Sequence, residues 1–365
     1  KISKISRGDN NDYENYSIHF CSEEFLLSEQ YRISKSFPAT KISDIITKIL
    51  TNYLKVKKPI FIDSTTGLYD FVLPNKKIFE TISWLSTYAQ PMSNNPGADM
   101  VFYENTNGYY FTSLQSLYQQ SPYQNLKFDP KNITRDLNQQ LTNATDFEVL
   151  DFVDTLDGIT NGTFSNKVIT LDLLTRKKSS GTFSYAKHLK TAKIMNKAGV
   201  INDYQNRLGM TMYDDVPKTI PGMELGALRM ASTNANQKKN PYVAQNAESV
   251  ANDIMIEKYL PNRVAQIALA NYIRIKVTIP GDPTLTIGKT VNFNIYGIKP
   301  TTHSDKNART PDPFYSGKYL VTAVRHIVKN SSYITVVEMS KESINTSYSK
   351  YNPGTQGDYI KGVQI

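Results

Sequence analysis

The stretch "IPGDPTLTIGKTVNFNIYG", residues Ile279 to Gly297, decides the fold, because its Gly288-Lys289-Thr290 has the letters that close a phosphate-binding loop. Such a loop needs a glycine five residues before the second one, so that free backbone N–H groups wrap the phosphates, and a helix that opens at the Lys-Thr pair. That position is Pro283, which has no N–H to give, and the nearer Gly281 stands too early. Between the glycines, Thr284, Leu285, Thr286 and Ile287 alternate polar with apolar. After Thr290 the alternation resumes, with Val291, Phe293 and Ile295 on one face and Asn292, Asn294 and Tyr296 on the other. A period of two predicts a β-hairpin or meander.

The flanks agree. Ile273, Ile275, Val277 and Ile279 alternate against Arg274, Lys276 and Thr278, and "YSGKYLVTAVRHIVKNSSYITVVEM" reads as a hairpin turning at Asn330 to Ser332. A polar loop from Lys299 to Pro313 lies between, and residues 345–365 form a polar tail without a period. The C-terminal half therefore contains an antiparallel all-β module, a small barrel. Upstream, Asn15 to Ser36 reads as β structure, with Tyr16, Ile18 and Phe20 alternating. From Lys41 to Leu54 the apolar residues Ile42, Ile45, Ile46, Ile49, Leu50, Tyr53 and Leu54 fall on one helical face. Lys57 to Phe71 holds two short strands, and Pro74-Asn75 opens a second amphipathic helix carrying Ile78, Phe79, Ile82, Leu85 and Ala89. "MVFYENTNGYYF", Met100 to Phe111, predicts a hairpin with Asn107-Gly108 as its positive-φ turn, followed by a short helix over Ser113 to Gln119. Phe147 to Ile159 reads as a helix ending at Asn161-Gly162, and Phe164 to Leu174 as a strand. The pattern weakens from Gly181, Ala231 to Asn246 is an Asn/Gln/Lys-rich linker, and a helix runs from about Ala247 to Ala270, interrupted near Pro261.

A chain of 365 residues predicts two or three domains. One cysteine, Cys21, excludes an intrachain disulfide framework, and four histidines without ligand spacing argue against zinc; the chain reads as made in a reducing compartment. With no run of eighteen apolar residues and no charged-then-apolar leader, neither a membrane span nor export is expected. The first residue is Lys1, not methionine, so the true start is expected to be missing. The net charge of +9 comes from lysines scattered through a chain rich in Asn, Ile and Tyr, which argues for coding bias over a nucleic-acid stripe. The 24 tyrosines suit protein–protein contact or, equally, plain strand propensity.

Other chemistry finds little support. Asp151, Asp154 and Asp157 stand three apart, whereas a calcium loop needs oxygens two apart; on a helix they form a solvated stripe. His19 is too close to Cys21 in an alternating strand to serve it as a base, no G-x-S-x-G elbow occurs, and paired carboxylates for glycan cleavage have no positive signal. His326, beside Arg325, reads as a strand histidine lining a barrel or an interface. Arg7-Gly8-Asp9 and the N-x-S/T triplets at Asn132 and Asn161 are expected by chance.

"IRIKVTIPGDPTLTIGKTVNFNI" (Ile273–Ile295) followed by "DPFYSGKYLVTAVRHIVKNSSYITVVEMSKES" (Asp312–Ser343) resembles the C-terminal barrel of the central baseplate hub proteins of T-even-like contractile phage tails. That family pattern runs strand, P-G-D turn, L-x-[IV]-G-x-x-[IV], polar loop, S-G-x-[YF]-L-V-x-x-[VI]-x-H and closing strand. "IHFCSEEFLLSEQYRISKSF" into "KISDIITKIL", "MVFYENTNGYYFTSL" and "FVDTLDGITNGTFSNKVITLDLLTR" resemble the same family, leaving Lys187 to Asn246 weakly covered. Family members begin with most of a first tube-type barrel that is absent here.

The resemblance implies an α+β, mainly β chain with two tail-tube-like antiparallel β-barrels. Residues 1–40 would end the first barrel, 146–180 and 257–344 would form the second, 41–145 and 181–256 the intervening α+β domain, and 345–365 the tail. It implies a homotrimer whose six barrels form a pseudo-sixfold ring, joining the hexameric tail tube protein to the trimeric spike protein among other baseplate proteins. DNA would be passing cargo only, with no stable membrane association. The place would be the virion tail baseplate, assembled in the host bacterial cytoplasm. Asn161, Gly162, Asp172, Gly281, Gly288, Gly317, Tyr319 and His326 would be structural motif positions, with no catalytic, cofactor or metal residue and no enzymatic activity. One rival reading is the hub half of a secretion-system or phage-like-particle spike, which normally carries V-x-G octapeptide repeats not found here. A tail-associated cell-wall hydrolase or adhesin is the rival of another class.

Overall fold

The computed structural model describes residues 1–10, 13–92, 98–130, 136, 140–152, 154–172, 176–199, 227–232, 255–296, 311–312 and 314–345. Those within 1–113, 170–178 and 232–260 form one compact unit, and those within 114–169, 179–231 and 261–365 a second.

The first unit opens with an antiparallel ribbon of β1 (Ile2–Asn10) and β2 (Tyr13–Phe20), in which Ile2 faces Phe20 and Ile5 faces Ile18. The expected β structure over Asn15 to Ser36 is then corrected, because Ser22 accepts a hydrogen bond from Phe25 N and Glu23 and Glu24 fill the first turn of α1 (Glu23–Gln30). A capping hydroxyl and two carboxylates at a helix start outweigh a loose alternation. β3 (Arg32–Ile33) and β4 (Ser36–Thr40) follow, then α2 (Ile42–Lys48), which widens into a π-helical turn over Ile49–Tyr53. Most of the predicted face is buried: Ile42, Ile45, Ile46, Ile49 and Leu50 have no exposure and Leu54 is buried, whereas Tyr53 stands exposed.

After β5 (Ile60–Ile62), β6 (Tyr69–Val72) and β7 (Lys76–Lys77), α3 (Ile78–Ser86) lays Ile78, Ile82 and Leu85 into the same core. β8 (Met100–Glu104) and β9 (Tyr109–Ser113) make the predicted hairpin, with β5 added in parallel to β9. Its turn differs from expectation: Asn107 is not at positive φ, and the Asn105 side chain accepts from the N–H groups of Asn107 and Gly108 instead. An Asx turn thus does the work of a two-residue primed turn. The lone tryptophan, Trp84, packs edge-on to Phe71 and Tyr88 in this core.

In the remainder, α4 (Leu114–Tyr118) precedes β10 (Asn125–Phe128), and the expected helix over Phe147 to Ile159 is largely a strand, β11 (Asp146–Asp151), with only a short α5 (Thr155–Thr160). The reason is pairing: Phe147 and Val149 lie opposite Val277 and Ile275, an apolar match that overrides the three-residue spacing of Phe147, Leu150 and Val153. β12 (Ser165–Asp172) confirms the expected strand. β13 (Lys177–Ser184), α6 (Tyr185–Thr191), β14 (Ala198–Gly199) and β15 (Ala227–Ser232) occupy a stretch in which the sequence pattern is weak. The linker over Ala231 to Asn246 lies outside the described residues apart from its first two, and α7 (Ile256–Ala270) runs through Pro261 without a break in the helix.

β16 (Ile273–Pro280), β17 (Thr290–Ile295), β18 (Gly317–Lys329), β19 (Ser332–Lys341) and β20 (Ser343–Ile344) complete the chain as described. They build a six-stranded sheet in the order β10-β17-β18-β19-β16-β11, antiparallel except for the β10–β17 pair. β16 alternates buried and half-buried along its whole length, as predicted. The sheet curls until its outer strands meet: Lys127 of β10 bridges Asn143, which leads into β11, and the Phe128 and Phe147 rings stand 4.8 Å apart. Ile275, Val277, Val291, Phe293, Tyr319, Val337 and Met339 fill the inside.

Candidate functional site

No group of His, Cys, Asp and Glu among the described residues is arranged to hold a metal ion. The Gly-Lys-Thr stretch is neither a phosphate loop nor, at Thr284 to Ile287, the strand its alternation suggested, since two turns occupy Pro283–Thr284 and Ile287–Gly288. Asp282 makes the difference: its carboxylate accepts from both the N–H and the hydroxyl of Thr284, an Asx turn. Lys289 Nζ donates to Thr284 O at 2.7 Å and lies 4.0 Å from the Tyr123 ring centroid. The cation closes its own turn and rests on an aromatic face.

Two of the predicted motif positions meet at Tyr333. Gly281 N donates to Tyr333 O at 2.9 Å, and a Cβ on Gly281 would stand 2.0 Å from the Tyr333 ring. His326 Nδ1 lies 3.1 Å from the Tyr333 hydroxyl and 3.3 Å from Thr335 Oγ1. His326 thus buttresses the P-G-D turn through Tyr333.

Gly317 and Tyr319 belong to a second knot. Gly317 has φ +142°, and a Cβ there would reach within 2.7 Å of Asn196 Oδ1, which accepts from Lys318 N. The Asn196 amide donates in turn to Lys318 O and Ser343 O. Beneath it, buried Lys341 donates to Phe314 O and Ser316 O and lies 4.6 Å from the centroid of buried Tyr319. Burial lowers the Lys341 ammonium to a pKa of about 7, with Asp312 and Glu342 pulling it back up. Glu342, also buried, accepts from Met195 N and Ser343 Oγ, and burial raises its pKa. Neither buried charge was marked by any motif or spacing in the sequence.

The other predicted positions serve the scaffold separately. Gly288, at φ +83°, donates to Val321 O, and Gly162, at φ +75°, follows Asn161, whose amide bonds Asp157. Asp172 ends β12. The three aspartates are not one helical stripe: Asp151 pairs with Arg274 at 3.3 Å across two strands, while Asp154 caps α5 by accepting from Asp157 N.

What the geometry leaves open is surface. On the outside of the curled sheet Arg274 meets Asp151 and Glu338, and Lys276 meets Glu148 at 2.6 Å, a half-exposed ladder of modest individual strength. β17 follows β18 only to Leu320, with Gly288 and Lys289 bonding Val321 beyond it. From Thr322 to Lys329, β18 therefore has β19 on one side and no strand on the other among the described residues. The two form a projecting ribbon with Val328 at 77% exposure. β1–β2 is another such ribbon, with Ile2, Ile5, Tyr16, Ile18 and Phe20 exposed along one face. Unpaired strand edges with exposed apolar residues suit strand addition and subunit contact better than small-molecule chemistry.

Comparison with known proteins follows the same direction. No protein-family model matches the chain. Over 344 residues, 91% of this chain and 73% of the relative, it is 24% identical to the "Probable baseplate hub protein gp334" of Vibrio phage KVP40. Two solved structures share the fold. One is the tail protein from Neisseria meningitidis MC58, 8% identical, covering 93% of this chain and 79% of that one with a TM-score of 0.52. The other is the 43 kDa tail protein of prophage MuSo2 from Shewanella oneidensis, 7% identical, covering 94% and 77% with a TM-score of 0.50. The resemblance to phage baseplate hub proteins is borne out, and the mainly β fold is one that phage tail proteins use.

Proposed function

We propose that this chain is the central hub of a phage tail baseplate: a structural homotrimer that joins the hexameric tail tube to the trimeric spike and encloses the path of the DNA. The observation that carries the reading is the likeness to a baseplate hub protein along 91% of the chain. The surfaces support it, because an open β18 edge and an apolar β1–β2 ribbon are what neighbouring subunits cover when a ring closes by strand-to-strand contact. In this reading the curled sheet lies in the second tube-like barrel, to which 146–180 and 257–344 contribute together with β10 (Asn125–Phe128), and the β1–β2 ribbon is the end of the first. The rest of 41–145, with 181–256, forms the intervening domain, and residues 345–365 a tail. The chain acts without catalysis and resides in the virion tail, assembled in the host cytoplasm. Light scattering coupled to size-exclusion chromatography on the full-length protein, with and without its spike, tests the assembly. A trimer alone or on spike binding is expected, and a persistent monomer, dimer or tetramer in both samples would refute it.

A further inference from the structure

The end of α2 carries a residue its fold does not ask for. After the π-turn, Leu54 N–H bonds Ile49 O at 3.2 Å and Val56 N–H bonds Leu50 O at 3.1 Å, which leaves Lys55 as the left-handed residue just past the helix, at φ +49°. Glycine, or failing that asparagine, suits that position, because a Cβ there crowds the backbone. A lysine costs stability, and its side chain lines a cavity of about 480 Å³, within the range of ordinary ligand pockets.

Arg32 and Lys57 line the same cavity. Three nearby lysines are answered: Lys58 by Glu104, Lys76 by Glu80 and Lys77 by Glu29. Arg32, Lys55 and Lys57 form no ion pair with any described carboxylate. Three cations without an ion pair to a described carboxylate thus share one cavity. Tyr31 and Tyr53, 56% and 39% exposed, stand on its walls, the second placed there by the π-turn. Strained backbone and π-turns recur where a protein binds something.

We propose that this cavity docks an extended acidic segment of a partner protein, its carboxylates answered by Arg32, Lys55 and Lys57 and its side chains wedged against Tyr31 and Tyr53. Three cations set among two glutamates suit a ligand that alternates acidic with neutral residues, as a peptide can. Glu23 and Glu24 also line the cavity, Glu23 being 3.6 Å from Lys1, and they oppose a continuous polyanion such as nucleic acid. The proposal stands whether or not the chain forms a ring.

The test is fluorescence anisotropy on the full-length chain with a fluorescein-labelled peptide of repeating Glu-Gly-Tyr, alongside its Gln-Gly-Tyr counterpart and an oligothymidylate of equal length. The acidic peptide should bind, weaken in high salt, and lose about tenfold in affinity with the double variant Arg32→Gln, Lys57→Gln. Lys58→Gln, which removes the Glu104 pair and the approach to the Tyr109 ring but lies outside the cavity lining, should leave binding unchanged. Lys55→Gly separates site from scaffold: it should raise the thermal midpoint read from Trp84 fluorescence while weakening the peptide about threefold. Unchanged peptide affinity in Lys55→Gly or the double variant, no binding by the wild type, or tighter oligothymidylate binding lost in the same variants would each overturn the proposal.

Discussion

Gly281→Ala puts a methyl group where the structure has a ring. The new Cβ would stand 2.0 Å, 2.2 Å and 2.4 Å from Cδ1, Cγ and Cε1 of Tyr333, far inside van der Waals contact. Backbone strain is not the issue, since Gly281 is not at positive φ. The ring cannot simply swing away, because Tyr333 is held at its hydroxyl by His326 and at its carbonyl by Gly281 N. The chain must either displace Tyr333 and lose the His326 contact or shift the turn away from β19, where Asp282 N bonds Thr335 Oγ1. Overpacking of this kind costs about 1–3 kcal/mol, and we expect about 2. Because the only tryptophan, Trp84, reports the other core, the curled sheet is followed by far-UV circular dichroism in urea and by hydrogen exchange over residues 273–295 and 317–341. Combining Gly281→Ala with Tyr333→Ala should recover more than half of the loss, a coupling visible in a double-mutant cycle. A cost below about 0.5 kcal/mol, or a double variant that loses the sum of both, would refute the contact as the cause.

Three other outcomes are expected. Burial lowers the His188 pKa to about 4, so the unfolded chain binds the proton more readily between there and the ordinary 6.5; stability is full above pH 6.5 and falls by about 3 kcal/mol on the way to pH 4. His188→Phe should flatten that part of the pH profile, and an unchanged slope would contradict it. For Lys341, lowered to about 7, the unfolded chain holds the extra proton above that value, so stability rises with pH from about 7 toward 10 by at most about 1.4 kcal/mol per unit. Lys341→Met should abolish the rise, read from denaturation midpoints across that range. Asn330 and Ser331 have φ +46° and +63°, the pair a primed hairpin turn requires, so Ser331→Gly should stabilise the β18–β19 ribbon by up to about 1 kcal/mol, measured by hydrogen exchange at its tip.

The regular parts of the fold were open to reading because their causes are local. Alternation in β16, the apolar face from Ile42 to Leu54 and the turn at Asn330-Ser331 each follow from neighbouring residues. Pairing partners far along the chain were not: β10 joins β17 in parallel across a separation of 167 residues, and β11 reads as helix until Val277 and Ile275 are set against it. Side-chain competition hid other features. Asp282 turned an alternating Thr284 to Ile287 into two turns, and Ser22 turned a strand pattern into α1. At the motif positions the residue types were visible but not their reason, since Gly281 and His326 meet through Tyr333, and Gly317 is set against Asn196 and Asn345. Lys341, Glu342 and the cavity around Lys55 carry no pattern that spacing could reveal.

Electron microscopy of the purified full-length protein bears most directly on the proposed role. The account predicts particles of three-fold symmetry around an axial opening, with six similar barrel densities facing the tube side, formed by the protein alone or together with its spike. Particles without three-fold symmetry in both preparations, or a three-fold particle with no axial opening, would contradict it.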